Sequence, residues 1–277
     1  MKSLIRSKLV WLGLILILSA VVAVAQDSTT NLRPASDNSA PNSARAQAIL
    51  EKAVQILGGE KYRTVTSQIG RGKFSVIKDN VVVSFQTFYD VIAYPDKERT
   101  EFKGSGSRMV QTNVGASGWV FDGDQELIKA QTDSQIESFK RSMRTSLDNL
   151  LRGHWRDEGK LNYVGKRPAT LGKRNDVVKL SYDDGFVVEF EFADDGTPQK
   201  ALYKRIGPDN EEIREEDRYA QFVETNGIRS PFIVDHFTNG VHGSRINYEA
   251  IEFNKTIPDS IFAKPANPKE LKKDLKL

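Results

Sequence analysis

The pattern that most constrains the fold is strict alternation of apolar and polar residues on both sides of one tight turn, between Val178 and Phe192. The approach carries Val178, Leu180 and Tyr182, the turn is Asp183-Asp184-Gly185, and the return alternates Phe186, Val188, Phe190 and Phe192 with Val187, Glu189 and Glu191. Such alternation gives a strand one apolar face and one wet face. An Asp-Gly turn joins neighbouring antiparallel strands. We therefore expect an antiparallel sheet with one apolar face.

Turn signals recur along much of the chain. They are Asp194-Asp195-Gly196, Gly207-Pro208-Asp209-Asn210, Asn226-Gly227 and Asn239-Gly240. Residues 64–77 and 80–94 are predicted to form two long strands joined at Lys78-Asp79-Asn80. Strands connected in this way form an antiparallel meander, and a sheet with so many strands tends to curl.

Two amphipathic helices accompany the strands. The first has apolar residues at spacings of three and four from Ala46 to Leu57, with Ser43 as the predicted N-cap and Gly58-Gly59 at its end. One apolar face on such a helix has to lie against another part of the protein.

The second helix is predicted over residues 132–152. Its apolar stripe consists of Ile136, Phe139, Met143, Leu147, Leu150 and Leu151. Thr132 and Gln135 have capping-box spacing, and Gly153 follows the last turn. The predicted fold class is α+β, mainly antiparallel β: a curled, unclosed barrel over residues 44–265, with two helices covering its concave apolar face. Helices that fill such a sheet incompletely leave an apolar cavity.

The N-terminus has the three parts of a signal peptide. Lys2, Arg6 and Lys8 precede an apolar run, and Ala23-Val24-Ala25 provides a small-x-small cleavage site. We predict that residues 1–25 are a signal peptide cleaved after Ala25, which would place the mature chain in the periplasm; an uncleaved membrane anchor is the alternative. Residues 26–43, rich in Ser, Thr, Asn, Asp and Pro, are predicted to be a flexible linker.

Composition narrows the class of protein. The chain has no cysteine, so it has neither a disulfide nor a cysteine that could be lipid-modified. Removal of the signal peptide leaves 37 basic and 37 acidic residues, and a neutral chain argues against nucleic-acid binding. Residues 266–277 are locally basic, and we expect a frayed tail there.

Three stretches resemble a known family, the LolA-like carriers that move lipoproteins or lipids across the periplasm. They are Tyr94-Pro95-Asp96-Lys97-Glu98-Arg99-Thr100-Glu101, then Gly115 followed by Trp119 and Phe121, and finally Ile246 to Pro265, which contains Pro258-Asp259-Ser260-Ile261-Phe262. With the order of elements, the likeness covers most of residues 44–265. It implies a half-barrel fold, an apolar ligand and no cofactor.

The resemblance also points to gating residues. Carriers of this family place an arginine directly before the proline of the first stretch, where it holds the lid shut. This chain has Tyr94 at that position, so the arginine-latched hand-off of a lipoprotein is not implied for it. Tyr94 and Arg99 are our candidates for gating.

Catalytic and metal-binding patterns are weak. The sequence has three histidines, His154, His236 and His242. Asp235 and His236 are adjacent in a predicted strand and therefore point to opposite faces. The spacings typical of zinc sites and of α/β-hydrolase nucleophiles do not occur. We predict no metal site and no enzymatic activity, although convergent carboxylates would reopen that question.

Aromatic residues in the strands and in the second helix are the candidates for a cavity wall, with ordinary core packing as the alternative for each of them. The candidates are Phe85, Phe88, Phe102, Trp119, Phe121, Phe139, Met143, Phe190 and Phe192. The first hypothesis is a monomeric periplasmic carrier that shields a lipid or an acylated protein's chain, with an envelope membrane protein as a possible partner. The alternative is a ligand-free envelope module that acts by docking.

Overall fold

The structure, a computed structural model, describes residues 40–104, 106–271 and 275. The predicted signal peptide and linker residues 26–39 lie outside the described residues and stay predictions. Within the described part, no helix is long and apolar enough to cross a membrane.

Four helices and thirteen strands form the domain. The helices are α1 (Ala40–Leu57), α2 (Glu60–Arg63), α3 (Asp133–Thr145) and α4 (Leu147–Arg152). The strands are β1 (Ser67–Lys78), β2 (Val81–Ala93), β3 (Lys97–Gly104), β4 (Ser107–Val114), β5 (Ser117–Asp122), β6 (Leu127–Ala130), β7 (Gly159–Pro168), β8 (Arg174–Tyr182), β9 (Val187–Phe192), β10 (Pro198–Ile206), β11 (Glu212–Thr225), β12 (Ile228–Thr238) and β13 (Val241–Phe253).

All thirteen strands belong to one antiparallel sheet. Its order is β6-β5-β4-β3-β2-β1-β13-β12-β11-β10-β9-β8-β7, so the two meanders meet where β1 pairs with β13. β6 and β7 are the two edge strands, and the barrel is unclosed. The predicted fold class, a curled antiparallel half-barrel with covering helices, is confirmed.

The concave face, as we name the face on which α1 and α4 pack, holds the main core. Leu50, Val54 and Leu57 of α1 and Leu150 of α4 contact strand residues that include Val188, Phe190 and Phe192. Phe190 and Phe192 are completely buried, because the helices cover this end of the sheet. Burial of one such side chain contributes about 1.5–3 kcal/mol.

The opposite face is covered by the C-terminal segment. Ile261 and Phe262 pack against Ile69 and Val91. Leu271 and Leu275, in the predicted tail, also pack on this face of the sheet. Both faces of the sheet therefore carry apolar residues, whereas the sequence pattern predicted one wet face.

Glu191 is another departure from the predicted wet face. Its side chain is almost fully buried, and its carboxylate accepts hydrogen bonds from Arg167 Nη1 at 3.2 Å and Asn175 Nδ2 at 2.9 Å. A buried carboxylate with such partners is tolerated, because their hydrogen bonds replace those that it would make to water.

The helix ends differ from the prediction in two places. α1 begins at Ala40, so Ser43 lies inside the helix rather than capping it. The predicted second helix is two helices, because Ser146 is extended (φ −69°, ψ 146°) and both ends α3 and begins α4. The capping box of Thr132 with Gln135 is confirmed, as is Gly153 after the last turn, in the left-handed region at φ 78°.

Replacing Ser146 by alanine should lower the free energy of unfolding by about 1 kcal/mol, because the hydroxyl accepts the Asn149 N–H at 3.1 Å and starts α4. Ser43→Ala is the matched control and should be neutral, since an exposed serine inside a helix caps nothing. Urea denaturation monitored by circular dichroism measures both. Equal losses for the two variants would contradict this account of the caps.

Candidate functional site

Five aromatic side chains on the concave face form a continuous surface, which we call the aromatic wall. They are Phe74, Phe88, Phe102, Phe232 and Tyr248. Strand register brings them together, since Phe88 pairs with Phe102 in β3 and both Phe88 and Tyr248 pair with Gly72. The rings meet edge to face, with centroids 5.3 Å apart for Phe88 and Tyr248 and 6.1 Å apart for Phe74 and Phe102.

The wall depends on a glycine behind Tyr248. A Cβ atom at Gly70 would lie 2.6 Å from Cε1 of the Tyr248 ring. A side chain at that position would push the ring out of the wall, which explains the glycine that interrupts β1.

The wall is not closed over. Phe88 is buried, but the other four members of the wall are only half-buried. Phe190 and Phe192, by contrast, are fully packed under the helices of the same face. The concave face therefore has a filled end and an end where aromatic surface is still accessible, and we call that second region the hollow.

Two carboxyl groups adjoin the wall. Asp90 lies two residues from Phe88 on the same face of β2 and accepts a hydrogen bond from Thr100 Oγ1 at 2.8 Å. Glu98 lies diagonally across the β2–β3 pair, opposite Ile92. Burial removes both groups from water, and the two groups repel each other when ionised.

These surroundings raise the pKa of both acids. Burial raises the pKa of Asp90, an effect that the Thr100 hydrogen bond partly offsets. Burial, and then the charge of Asp90, raises the pKa of Glu98 to about 8. Near neutral pH Glu98 is therefore protonated, whereas Asp90, whose pKa is raised to about 6, is largely ionised and accepts the Thr100 hydrogen bond.

Stability should depend on the pH through Glu98. Its folded pKa exceeds the ordinary value of 4.5, so the folded chain holds a proton that the unfolded chain releases. Stability is thus lost as the pH rises from about 4.5 through about 8. Glu98→Gln removes this loss, because the amide does not ionise. The difference in melting temperature, variant minus wild type, should therefore be larger at pH 9 than at pH 5. Thermal melts at the two pH values test this, and the same difference at both would contradict it.

A second polar cluster joins α4 to the sheet, and we call it the α4 latch. The hydroxyls of Tyr62 and Tyr94 each donate to Asp148, at 2.7 Å in both cases. Arg152 pairs with the same carboxylate at 3.0 Å and lies 4.1 Å above the Tyr94 ring. Burial, and then the charge of Asp148, raises the pKa of both tyrosines, so they remain hydrogen-bond donors.

Arg152 is the most confined member of the latch. Its side chain is 2% exposed, and Nε and Nη1 have no hydrogen-bond partner. Asp148 is the carboxylate that balances its charge. Tyr94, which directly precedes Pro95, therefore holds α4 in place from the sheet side through its hydrogen bond to Asp148.

A cleft of about 700 Å³ lies beside the latch, along α3. Phe139, Met143 and Phe186 give it an apolar part. Charged residues complete the lining: Asp96, Glu137, Lys140, Arg141, Arg144, Glu158, Asp184, Lys204 and Arg205. The cleft is thus more polar than the purely apolar cavity that the sequence predicted.

The nine predicted wall residues are distributed over four environments. Phe88 and Phe102 belong to the wall, Phe139 and Met143 line the cleft, and Phe190 and Phe192 are filled core.

The remaining three, Phe85, Trp119 and Phe121, lie on the opposite face and do not face the hollow. Phe85 is 59% exposed, and the Trp119 indole donates to the Phe262 carbonyl at 2.9 Å. Strand parity is the physical reason, since Phe85 and Phe88 are three residues apart and must point to opposite faces.

Arg99 also lies on the opposite face. Its Nη1 donates to the Ile261 carbonyl and its Nη2 to Glu101, each at 2.7 Å, and Arg108 donates to the other oxygen of Glu101 at 2.8 Å. Arg99 therefore holds the C-terminal segment on the sheet rather than a helix over the hollow, and the gating role predicted for it does not fit this position.

Several members of the site were missed in the sequence. Tyr248, Asp90, Glu98, Asp148 and Arg152 were not among the candidates. Asp90 is two residues from Phe88 in a predicted strand, so the sequence alone indicates that both side chains lie on the same face of the sheet. The convergence of α4 on Tyr94 depends on tertiary packing and has no local signal.

Asp235 and His236 point to opposite faces, as predicted. Asp235 pairs with Arg245 at 2.6 Å, while His236 contacts Asp217 at 2.7 Å and Glu215 at 3.2 Å. Burial lowers the pKa of His236, but hydrogen bonds to the two acids outweigh that effect and raise it to about 10. A histidine that is protonated at neutral pH is neither a metal ligand nor a general base.

Among the residues that the structure describes, no group of three or more His, Asp or Glu side chains is arranged to hold a metal ion. The ionic contacts of His236 belong to a hydrogen-bonded network that also includes Thr238 and Arg205, both of which donate to Glu215 at 2.7 Å.

Solved structures share this architecture. A DUF1329 family protein from Desulfovibrio piger aligns with a TM-score of 0.56 at 13% identity, covering 79% of this chain and 97% of that one. A LolA superfamily protein from Nitrosomonas europaea gives 0.54 at 16% identity, with the same coverage of both chains. A domain from Vibrio parahaemolyticus, named as a putative outer membrane lipoprotein-sorting protein, aligns with a TM-score of 0.52 at 8% identity. The alignment covers 80% of this chain and 97% of that one.

No family model matches the sequence, and no curated protein matches it. The chain has the LolA-like fold, and the resemblance seen in its sequence is confirmed at the level of the fold. The wall, the latch and the cleft are features of a half-barrel with this fold.

Proposed function

We propose that the protein is a periplasmic carrier that shields an acyl chain against the aromatic wall. The observation that supports this most is the half-buried state of four wall residues on a concave face whose other end is tightly packed. Aromatic surface left accessible inside a fold is typical of a binding site. Glu98, protonated near neutral pH, adds polarity beside the wall without adding charge.

The driving force is removal of hydrocarbon from water. Each buried methylene contributes about 0.8 kcal/mol, so a long chain binds tightly without specific polar contacts. The polar cleft along α3 would then take the head group or the protein part of an acylated cargo, since its lining offers both acidic and basic partners. The chemistry is binding and release, with no bond made or broken.

Release would require α4 to move away from the sheet. The latch is the contact that such a motion breaks, because Tyr94 and Tyr62 hold Asp148 from two sides. A gating motion of this kind exposes the bound chain to a membrane partner.

Titration of the mature chain with a fluorescent fatty acid, followed by displacement with unlabelled phospholipid, tests the proposal. We expect saturable binding and full displacement. A folded protein that shows neither would contradict the carrier and favour the ligand-free envelope module.

Sequencing the N-terminus of the exported protein tests cleavage after Ala25, and its mass in solution tests the expected monomer.

A further inference from the structure

Exposed apolar side chains concentrate at one rim of the half-barrel. Nine large apolar residues of the described chain are exposed, and all but Val223 lie near the hairpin turns of the same rim. They are Val81, Val82, Val83, Phe85, Leu127, Val187, Ile206 and Val241. In an antiparallel meander of this order, the turns β1–β2, β5–β6, β8–β9, β10–β11 and β12–β13 share one end of the sheet.

The β1–β2 hairpin holds half of this set. Val81, Val82, Val83 and Phe85 are between 54% and 61% exposed. Val81 and Val82 pair with the consecutive residues Lys78 and Ile77 of β1 and therefore point to opposite faces, so this tip is apolar on both faces. β2 pairs with β3 only from Thr87 onward, which leaves the tip projecting beyond its neighbour.

Charge distinguishes this hairpin from three other turns of the rim. Lys78 is exposed at the turn, and Lys73 lies behind it, 5.9 Å above the Phe85 ring and 3.8 Å from Glu249. Asp79 is the one acid of the turn itself. Three other turns of this rim are acidic, with Asp122, Asp124 and Glu126 in one, Asp183 and Asp184 in the next, and Asp209, Glu211 and Glu212 in another. The β12–β13 turn, Asn239-Gly240, carries no charge, and the neighbouring β3–β4 turn lies between Lys103 and Arg108.

We propose that the β1–β2 hairpin tip docks the protein onto an anionic lipid bilayer. A protein groove or an added strand would cover one face or the edge of the tip, whereas a fluid interface can surround an apolar tip on both faces. Lysines beside the valines meet anionic head groups, and repulsion keeps the three acidic turns away from the surface.

The strand edge limits the depth of insertion. Unpaired backbone N–H and C=O groups are costly in hydrocarbon, so the tip is expected to stay in the interfacial zone, about 5–10 Å deep. Binding should be reversible and should weaken as salt screens the lysines.

Co-sedimentation of the mature chain with vesicles tests the docking surface. We expect it to bind vesicles of phosphatidylcholine mixed with phosphatidylglycerol and to bind phosphatidylcholine alone more weakly. Val82→Asp should weaken partitioning about tenfold or more, because the loss of one buried valine alone is worth roughly tenfold. Val223→Asp, at the opposite rim, is the matched control and should leave binding unchanged.

Asp79→Asn supplies a test of opposite sign, because removing the turn's acid should strengthen binding to the anionic vesicles. Failure of the folded wild type to bind them, or equal binding by Val82→Asp, would overturn the proposal. Self-association that Val82→Asp abolishes, without any vesicle binding, would overturn it in favour of edge pairing between two copies. Fatty-acid binding by Val82→Asp should be unchanged, so this test is independent of the proposed carrier function.

Discussion

Phe102→Asp should reduce the affinity for a fluorescent fatty acid by roughly a hundredfold. The variant removes a ring that packs edge to face with Phe74 and places a carboxylate on the aromatic wall. Losing the apolar contacts of this ring costs about 2–3 kcal/mol of binding free energy, which corresponds to a roughly hundredfold weaker affinity. A charge beside an alkyl chain weakens binding further.

Phe85→Asp is the control for this experiment. Phe85 is an aromatic residue of neighbouring strand β2, but it points away from the hollow and is 59% exposed. Its substitution in solution should leave fatty-acid affinity within twofold or so of the wild type, as expected for an exposed site. Circular dichroism confirms that both variants fold. An equal loss for both, or none for Phe102→Asp, would contradict the assignment of the wall.

Asp148→Asn should destabilise the fold by about 3–5 kcal/mol, because it leaves Arg152 buried without its counter-charge. For a domain of this size that is roughly a 10 °C decrease in melting temperature. The amide retains the shape of the carboxylate, so the effect reports charge rather than packing. The rate of fatty-acid release should also rise, since the latch no longer holds α4.

Asp184→Asn is the matched control for the latch. Asp184 forms a two-point pair with Arg144, at 2.7 and 2.9 Å, but its side chain is 59% exposed. Exposed pairs contribute about 0–1 kcal/mol, so the control should lower the melting temperature by only a few degrees. Comparable losses for Asp148→Asn and Asp184→Asn would show that Arg152 does not depend on Asp148.

The fold could be predicted because its signals are local. The alternation after Gly185 and the turns of Asp and Gly determine hairpins, and hairpins in series determine a meander. The split of the second helix at Ser146 has a weaker signal, since serine can cap a helix as readily as it can lie within one.

The site could be predicted only in part. Aromatic composition suggested a wall, but Phe85, Trp119 and Phe121 were assigned to it without regard to strand parity. The cover on the opposite face is supplied by Ile261 and Phe262, far away in the sequence, and no pattern near Trp119 indicates it. Arg99 was interpreted as a gate from the family resemblance, and its contact with the Ile261 carbonyl is another long-range contact without a local signal.

Native mass spectrometry of the protein, purified from its own cell envelope without detergent, tests the central claim most directly. The account predicts a mass above that of the polypeptide by one lipid or acyl chain, and loss of that mass in Phe102→Asp but not in Val223→Asp, which lies outside both the wall and the docking tip. A wild-type protein that is repeatedly recovered without any added mass, and that also fails to take up fatty acid in solution, would contradict it.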